Sequence, residues 1–127
     1  MNLKELIDEN GHCEIPEGTT EIGDSAFFWC ENLTEITIPN SVTAIGNRAF
    51  CGCKNLKKIT IPNSVTLIGN SAFWMCENLK SVNIPNSVKS IGDCAFWGCK
   101  NLESVKIPAH TKLGDYVFPE TTTVERY

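Results

Sequence analysis

The sequence predicts a solenoid of the α/β class, with about five coils that each combine short strands and one helical turn. Four blocks of 23 residues, 15–37, 38–60, 61–83 and 84–106, repeat almost the same sequence without a gap. Each block alternates apolar and polar residues as a short strand does, and then shows a small-then-large apolar pattern typical of a helical turn. One block is too short to bury its own apolar face, so neighbouring blocks must stack.

The repeats predict three parts. Residues 1–14 are expected to form an N-terminal helical cap, 15–106 the four full coils, and 107–127 a degenerate fifth coil with a C-terminal cap. A capping-box variant and an apolar face predict a helix over 2–10. The last residues, 121–127, are rich in β-forming residues and predict a final strand that covers the end of the sheet.

Each coil is expected to begin with a half-buried strand. In the second block, Ile59 and Ile61 alternate with Lys58 and Thr60, so the two isoleucines point inward and the polar pair outward. Pro62 ends the strand because it has no amide to donate. An outward polar row and an inward apolar row therefore run along the whole stack.

The rest of a coil is a second extended stretch, a corner and a helical turn. Residues 65–68 are extended, and Gly69 marks a corner that needs either positive φ or a close backbone approach. Asn70 is then predicted to be the N-cap of a helical turn over 71–76. The predicted core consists of repeated columns. These are Phe27, Phe50, Phe73 and Phe96; Ile22, Ile45, Ile68 and Ile91; Ala26, Ala49, Ala72 and Ala95; and Leu33, Leu56, Leu79 and Leu102.

Two further columns are interpreted as structural. Free cysteine packs as a small apolar residue, although the spacing between coils also permits disulfides between adjacent rungs. Asparagines at a corner can bond the backbone of the neighbouring coil, although such a ladder can also bind an external group. The columns are Cys30, Cys53, Cys76 and Cys99, and Asn32, Asn55, Asn78 and Asn101. Cys13, Cys51 and Cys94 lie outside the cysteine column, and the odd number favours a reducing compartment.

Composition and spacing argue against several function classes. The net charge of −4 argues against nucleic-acid binding, which requires a positively charged surface. No apolar run is long enough to insert into a membrane. The first residues are not a signal peptide, which predicts a cytoplasmic protein, or a cell-surface protein if the chain is excised from a longer one. His12 and His110 lie in opposite caps, and no phosphate-binding loop occurs. We therefore predict no enzyme activity, no metal and no cofactor.

The recurring segments IPNSV, IG(D/N)xAF and CxNL, at fixed spacing, resemble the BspA-type leucine-rich repeats. The resemblance covers 15–106 fully and 107–118 loosely. It implies a right-handed solenoid whose LxxIxI strands form one parallel sheet, and a role in binding or adhesion, often on the surfaces of bacteria and parasitic protists. It transfers no catalytic residues.

The strand face is the first candidate for binding, because its outward residues differ between coils while the core columns hardly change. Unconstrained drift of exposed positions explains the same contrast equally well. The predicted binding residues are Glu35, Thr37, Lys57, Lys58, Thr60, Lys80, Ser81, Asn83, Ser104 and Lys106. The second candidate is an aromatic edge, although its rings can instead stack on one another. Its residues are Phe28, Trp29, Trp74 and Trp97.

These observations predict a non-catalytic protein-interaction or scaffold module that binds a protein partner through the strand face. One alternative is a fragment of a bacterial or protist cell-surface adhesin, and a further one is an engineered or consensus-like repeat scaffold. A homodimer through the C-terminal end is also expected if the last strand leaves the sheet edge open.

Overall fold

A computed structural model describes residues 2–127 and shows a solenoid of about five coils of parallel strands. Met1 of the predicted cap 1–14 lies outside the described residues. The strands are β1 (His12–Glu14), β2 (Glu21–Ile22), β3 (Glu35–Thr37), β4 (Ala44–Ile45), β5 (Lys58–Ile59), β6 (Leu67–Ile68), β7 (Ser81–Asn83), β8 (Ser90–Ile91), β9 (Ser104–Ile107), β10 (Lys112–Leu113) and β11 (Thr123–Arg126). A short 3-10 helix, Leu3–Leu6, precedes them.

The strands form two ladders on different sides of the solenoid. The odd-numbered strands make up the strand face, in which β1, β3 and β5 form one parallel sheet and β7, β9 and β11 form another. The even-numbered strands make up the second face, a continuous five-stranded parallel sheet from β2 to β10. Equivalent residues of successive coils pair, as Ile36 does with Ile59. The expectation of one sheet on the strand face is therefore wrong, because its ladder is interrupted between β5 and β7.

The predicted core columns are confirmed. The rings of Phe27, Phe50, Phe73 and Phe96 are fully buried and stack nearly parallel, with successive centroids 5.2, 5.1 and 4.9 Å apart. Phe118 of the degenerate coil continues the stack at 5.5 Å. The isoleucine and leucine columns are also buried. Ala26 is the exception, since it lies in the first coil and is only half-buried.

The predicted helical turn in each coil is wrong, because no α-helix occurs within residues 2–127. Successive tight turns occupy this segment. Trp74 and Cys76 donate their amides three residues back, whereas the amides of Ser71 and Phe73 donate to the next coil at 2.8 and 2.7 Å. Ser71 and Met75 also have positive φ, 55° and 62°. A right-handed helix admits neither left-handed residues nor amides directed at a neighbouring coil.

The polar residue before this segment bonds the next coil instead of capping a helix. The side chain of Asn70 accepts the amide of Asp93 at 2.8 Å, and Asp24 accepts that of Asn47 at 2.8 Å. The expected N-cap role is therefore wrong. The corner glycine is explained by close approach, since a Cβ on Gly69 would lie 2.6 Å from Asn47 Oδ1.

The two columns that were interpreted as structural bond between coils. Asn55 and Asn78 donate their side-chain amides to carbonyls of the preceding coil, at 2.7 and 2.9 Å. Cys53 and Cys76 donate their thiols to the Phe27 and Phe50 carbonyls, at 3.1 and 3.2 Å. All seven cysteines are free, so the cysteine column of the described chain contains no disulfide.

The chain ends differ from each other in how well they follow the prediction. The expected helix over 2–10 is only the 3-10 helix Leu3–Leu6, which Asn2 caps with its side chain accepting the Lys4 amide at 3.4 Å. Asp8 then accepts the His12 amide at 3.0 Å and turns the chain into β1. At the other end β11 pairs in parallel with β9, so the predicted final strand is confirmed.

Candidate functional site

All ten predicted binding residues of the strand face are exposed. Their side chains lie outward because the apolar residues between them, such as Ile36 and Val82, are buried in the core. The pleat of a strand fixes this alternation, so a short strand with one buried residue presents the residues on both sides to solvent. The alternation read from the sequence therefore predicts the exposure of these ten side chains, and their role in binding stays a prediction.

A cleft divides the strand face between β5 and β7. Within residues 2–127, no backbone hydrogen bond joins 57–61 to 80–84. The neighbouring strand pairs are joined at the equivalent position, where Lys57 donates to the Thr34 carbonyl and Glu103 to the Lys80 carbonyl, both at 2.9 Å. The cleft is thus an opening between β5 and β7 in a ladder whose other neighbouring strands are paired.

The same two coils are held together on their other sides. On the second face, β4 and β6 pair in register. In the turn segment, the amides of Arg48, Phe50 and Gly52 donate to the next coil at 2.9, 2.7 and 2.7 Å. The two coils therefore separate only at the strand face and remain hydrogen-bonded on the second face and in the turn segment.

The cleft has a volume of about 1120 Å³ and a positively charged rim. Lys57, Lys58 and Lys80 line it, together with one acidic residue, Glu35. Thr60, Ser81 and Asn83 add polar side chains. This local excess of lysine contrasts with the net charge of −4 for the chain. Seven of the ten predicted residues therefore meet at one site, whereas Thr37, Ser104 and Lys106 lie elsewhere on the face.

Seven lining residues of the cleft are not among the ten predicted binding residues. They are Ile59, Ile61, Asn63, Asn78, Ile84, Pro85 and Tyr127. Ile59 is half-buried, although its equivalents in neighbouring coils are buried, because the open ladder uncovers it. Asn63 and Pro85 line the cleft from the turns that follow the strands. Tyr127 reaches the same cleft from the end of the chain, and its hydroxyl donates to the Ile84 carbonyl at 2.5 Å. Among these lining residues, Tyr127 lies outside the four repeats, so no periodic pattern predicts its position.

The aromatic edge lies on the turn segments. Phe28 and Trp29 are each 46% exposed, while Trp74 and Trp97 are half-buried. Trp29 contacts Phe28 and Trp74 at centroid distances of 5.7 and 6.3 Å, and it crosses Gly52, where a Cβ would overlap the ring. Trp97 instead packs edge-on against Tyr116. The edge is therefore two separate aromatic clusters in place of one continuous stack.

The chemistry available to the strand face is hydrogen bonding and charge. Among the described residues, no group of three His, Cys, Asp or Glu side chains is placed to hold a metal ion. Burial raises the pKa of the Cys13 thiol to about 11 and that of Cys53 to about 12, so these thiols remain protonated at neutral pH. The cleft offers backbone groups, lysines and one apolar patch, which are features of a binding site.

The sequence model of the BspA type leucine rich repeat region matches residues 9–125 in six copies. The chain belongs to the BspA-type leucine-rich repeat family. No curated protein matches it.

Solved structures of leucine-rich repeat proteins are similar to this BspA-type chain. A leucine-rich repeat protein from Bacteroides ovatus is 34% identical over 87% of this chain and 29% of that chain, with a TM-score of 0.80. A leucine rich cell surface protein from Faecalibacterium prausnitzii is 30% identical over 91% of this chain and 41% of that chain, with a TM-score of 0.61. The pneumococcal vaccine antigen PcpA is 28% identical over 90% of this chain and 29% of that chain, with a TM-score of 0.79.

The chain spans less than half the length of each of these three proteins. The described part of the chain contains no helix with the length and apolar character needed to cross a membrane.

Proposed function

We propose that this BspA-type repeat chain is a non-catalytic interaction module that binds a protein partner through its strand face. The observation that carries the proposal is the cleft between β5 and β7, which gathers seven of the varying residues around unpaired backbone on an otherwise regular scaffold. Binding surfaces of repeat proteins commonly combine a conserved framework with positions that vary from one repeat to the next.

Selection of a displayed library of random peptides on the immobilised chain tests this proposal. The affinities of the selected peptides are then measured for a variant with Lys58→Ser and Lys106→Ser, of which Lys58 lines the cleft and Lys106 lies elsewhere on the strand face. A second variant with Lys89→Ser and Lys112→Ser removes the same charge at exposed positions away from the strand face.

We expect the strand-face variant to bind the selected peptides about tenfold more weakly, since each substitution removes a cation at the proposed surface. The control variant should bind them as the unmodified chain does. Equal losses in the two variants, or losses caused only by Phe28→Ser in the aromatic edge, would contradict the proposal.

A second candidate function is adhesion, with the chain acting as part of a longer cell-surface protein. The description of the similar Faecalibacterium prausnitzii protein as a cell surface protein favours this candidate. Surface biotinylation of intact cells, followed by detection of the native protein, tests it. Labelling in intact cells supports a surface location, and labelling only after lysis contradicts it.

We also propose that a second copy of the chain is a partner, which pairs with the first through β11. β11 pairs with β9 on one side only, and its four residues are exposed. An unpaired strand edge can pair with a second copy. Light scattering over a range of concentrations should give a mass above 14.0 kDa if the dimer forms, and a constant mass of one chain would contradict it.

A further inference from the structure

We infer that the cleft between β5 and β7 accepts an extended acidic peptide, which adds a strand between them and closes the ladder of the strand face. The inference rests on the proposed function, because the cleft is part of the strand face. It specifies the partner as a segment without fixed structure of its own that alternates acidic and small apolar residues.

The backbone on both sides of the cleft is prepared for an added strand. The Ile84 amide donates to the Lys106 carbonyl at 2.9 Å, whereas within the described chain the equivalent amide of Ile61, like that of Ile38, donates no hydrogen bond. The amide of Lys80 is likewise without an acceptor, although its equivalents in the neighbouring coils, described above, donate at 2.9 Å. An inserted strand can supply the missing acceptors and donors, as peptides do at exposed sheet edges.

The floor of the cleft favours an apolar residue at every second position of that strand. The equivalents of Ile59 in the neighbouring coils, Ile36 and Val82, are only 6% and 3% exposed, whereas Ile59 is half-buried. An added strand directs alternate side chains towards the core. A small apolar residue such as valine would cover Ile59 and bury apolar area that is now in contact with water.

The rim favours acidic residues at the remaining positions. The outward side chains of the added strand lie beside Lys57, Lys58 and Lys80, which are all exposed. Glu35 is the acidic residue among the lining side chains. Aspartate or glutamate opposite the lysines is therefore attracted, and this attraction weakens as salt is added.

The experiment uses a short peptide with blocked ends in which Val and Asp alternate, titrated into the full chain by calorimetry. A second peptide carries N-methyl groups on alternate amides, which prevents ladder hydrogen bonds and leaves the side chains unchanged. Hydrogen exchange followed by NMR reports on the Ile61 and Lys80 amides. The chain variants are Lys57→Ser with Lys80→Ser, and the charge-matched control Lys89→Ser with Lys112→Ser.

We expect the unmodified peptide to bind and to slow exchange at Ile61 and Lys80. N-methylation should weaken binding by about tenfold or more, because several hydrogen bonds are lost together. The Lys57 and Lys80 substitutions should weaken binding similarly, and the control substitutions should not change the affinity.

Three results would overturn the inference. The first is the absence of saturable binding. The second is binding that depends on the lysines but not on N-methylation, since the peptide would then rest on the rim without forming a strand. The third is protection of Ile61 and Lys80 by self-association of the chain, which would make a second copy the occupant.

The failure of this inference can be separated from failure of the proposed function. If the Val-Asp peptide does not bind but library-selected peptides still lose affinity on Lys58→Ser with Lys106→Ser, the strand face remains the binding surface and the inserted strand is refuted. If neither peptide set depends on strand-face residues, both proposals are wrong.

Discussion

At the scale of single residues, the corner glycine shows how closely the coils approach one another. A Cβ on Gly69 would lie 2.6 Å from Asn47 Oδ1 and 2.7 Å from the carbonyl carbon of Gly46. Gly23 occupies the same position in the first coil, where no preceding corner exists, and a Cβ there meets nothing within 4 Å. Glycine is therefore required inside the stack and dispensable at its beginning.

The substitution Gly69→Ala should lower the free energy of unfolding by about 1–3 kcal/mol, because two corners must move apart. Gly23→Ala should leave it unchanged or raise it by about 0.4–1 kcal/mol, since alanine restricts the unfolded chain. Urea denaturation of both variants measures the difference. Equal destabilisation of the two variants would show that the glycine is needed for its own backbone conformation.

The buried thiols form a second feature at this scale. Burial raises the pKa of Cys13 and Cys53 from the ordinary value of 9.0 to about 11 and about 12, and it raises the pKa of Cys76 as well. A group with a raised pKa in the folded state contributes its stabilisation fully below its unfolded pKa. That contribution is lost as the pH rises through the folded value.

Stability should therefore be constant to about pH 8 and fall between about pH 9 and pH 12, as the unfolded thiols ionise before the folded ones. Urea midpoints at several pH values in this range measure the decline. The Cys53→Ser variant removes one of the titrating thiols and should show a shallower decline. An identical slope in this variant would mean that other groups cause the loss.

The sequence predicted most individual roles, but not the direction of every hydrogen bond. Phe73 and Cys76 are buried as their columns require. Asn70 was expected to cap its own coil and instead accepts the amide of Asp93 in the next. Both roles select a short side chain with an oxygen acceptor, so residue type alone does not distinguish them.

At the scale of elements, the turn segment shows that one local pattern fits two different backbone structures. A helical turn and a series of tight turns can both bury the residues equivalent to Ala72, Phe73 and Cys76. The distinction lies in the amides of Ser71 and Phe73, which donate to the next coil. A single coil contains no information about such bonds, because the neighbouring coil supplies the acceptors.

Arg126 anchors the final strand. Its Nη1 donates to the Pro108, Ala109 and Thr111 carbonyls at 3.2, 3.1 and 3.0 Å. Arg126→Ala should lower the free energy of unfolding by about 1–2 kcal/mol and speed amide exchange in β11. Arg48→Ala, at an exposed arginine on the turn side, serves as the control and should have little effect. Unchanged exchange in β11 would show that strand pairing alone holds it.

At the scale of the whole molecule, the constant spacing of contacts makes the coils interchangeable. The Asp24, Asn47 and Asn70 side chains each accept an amide 23 residues later. Removing one complete block preserves every column, whereas removing a different number of residues shifts apolar residues out of the core.

Deletion of residues 61–83 should therefore give a folded chain with a lower urea midpoint, because one interface between coils is lost. Deletion of 61–80 should prevent folding, since the columns no longer align. Far-UV circular dichroism and urea denaturation distinguish the two. A folded chain after the shorter deletion would contradict the account of stacked columns.

The division of the strand face was beyond sequence reasoning. The second and third blocks have the same strand pattern as their neighbours, with Ile59 and Val82 at equivalent positions. The repeat therefore predicts equal pairing everywhere, and the opening depends on how two particular coils are oriented. The outward residues could be predicted because they follow from the strand period, whereas the cleft that gathers seven of them could not.

Hydrogen exchange of the free chain, followed by NMR, tests the central claim that the strand face is open between β5 and β7. The Lys80 amide should exchange at least about tenfold faster than its equivalents Lys57 and Glu103, and Ile61 faster than Ile84, because only the slower amides are hydrogen-bonded. Equal protection at these positions would show that the ladder is continuous and would contradict the claim.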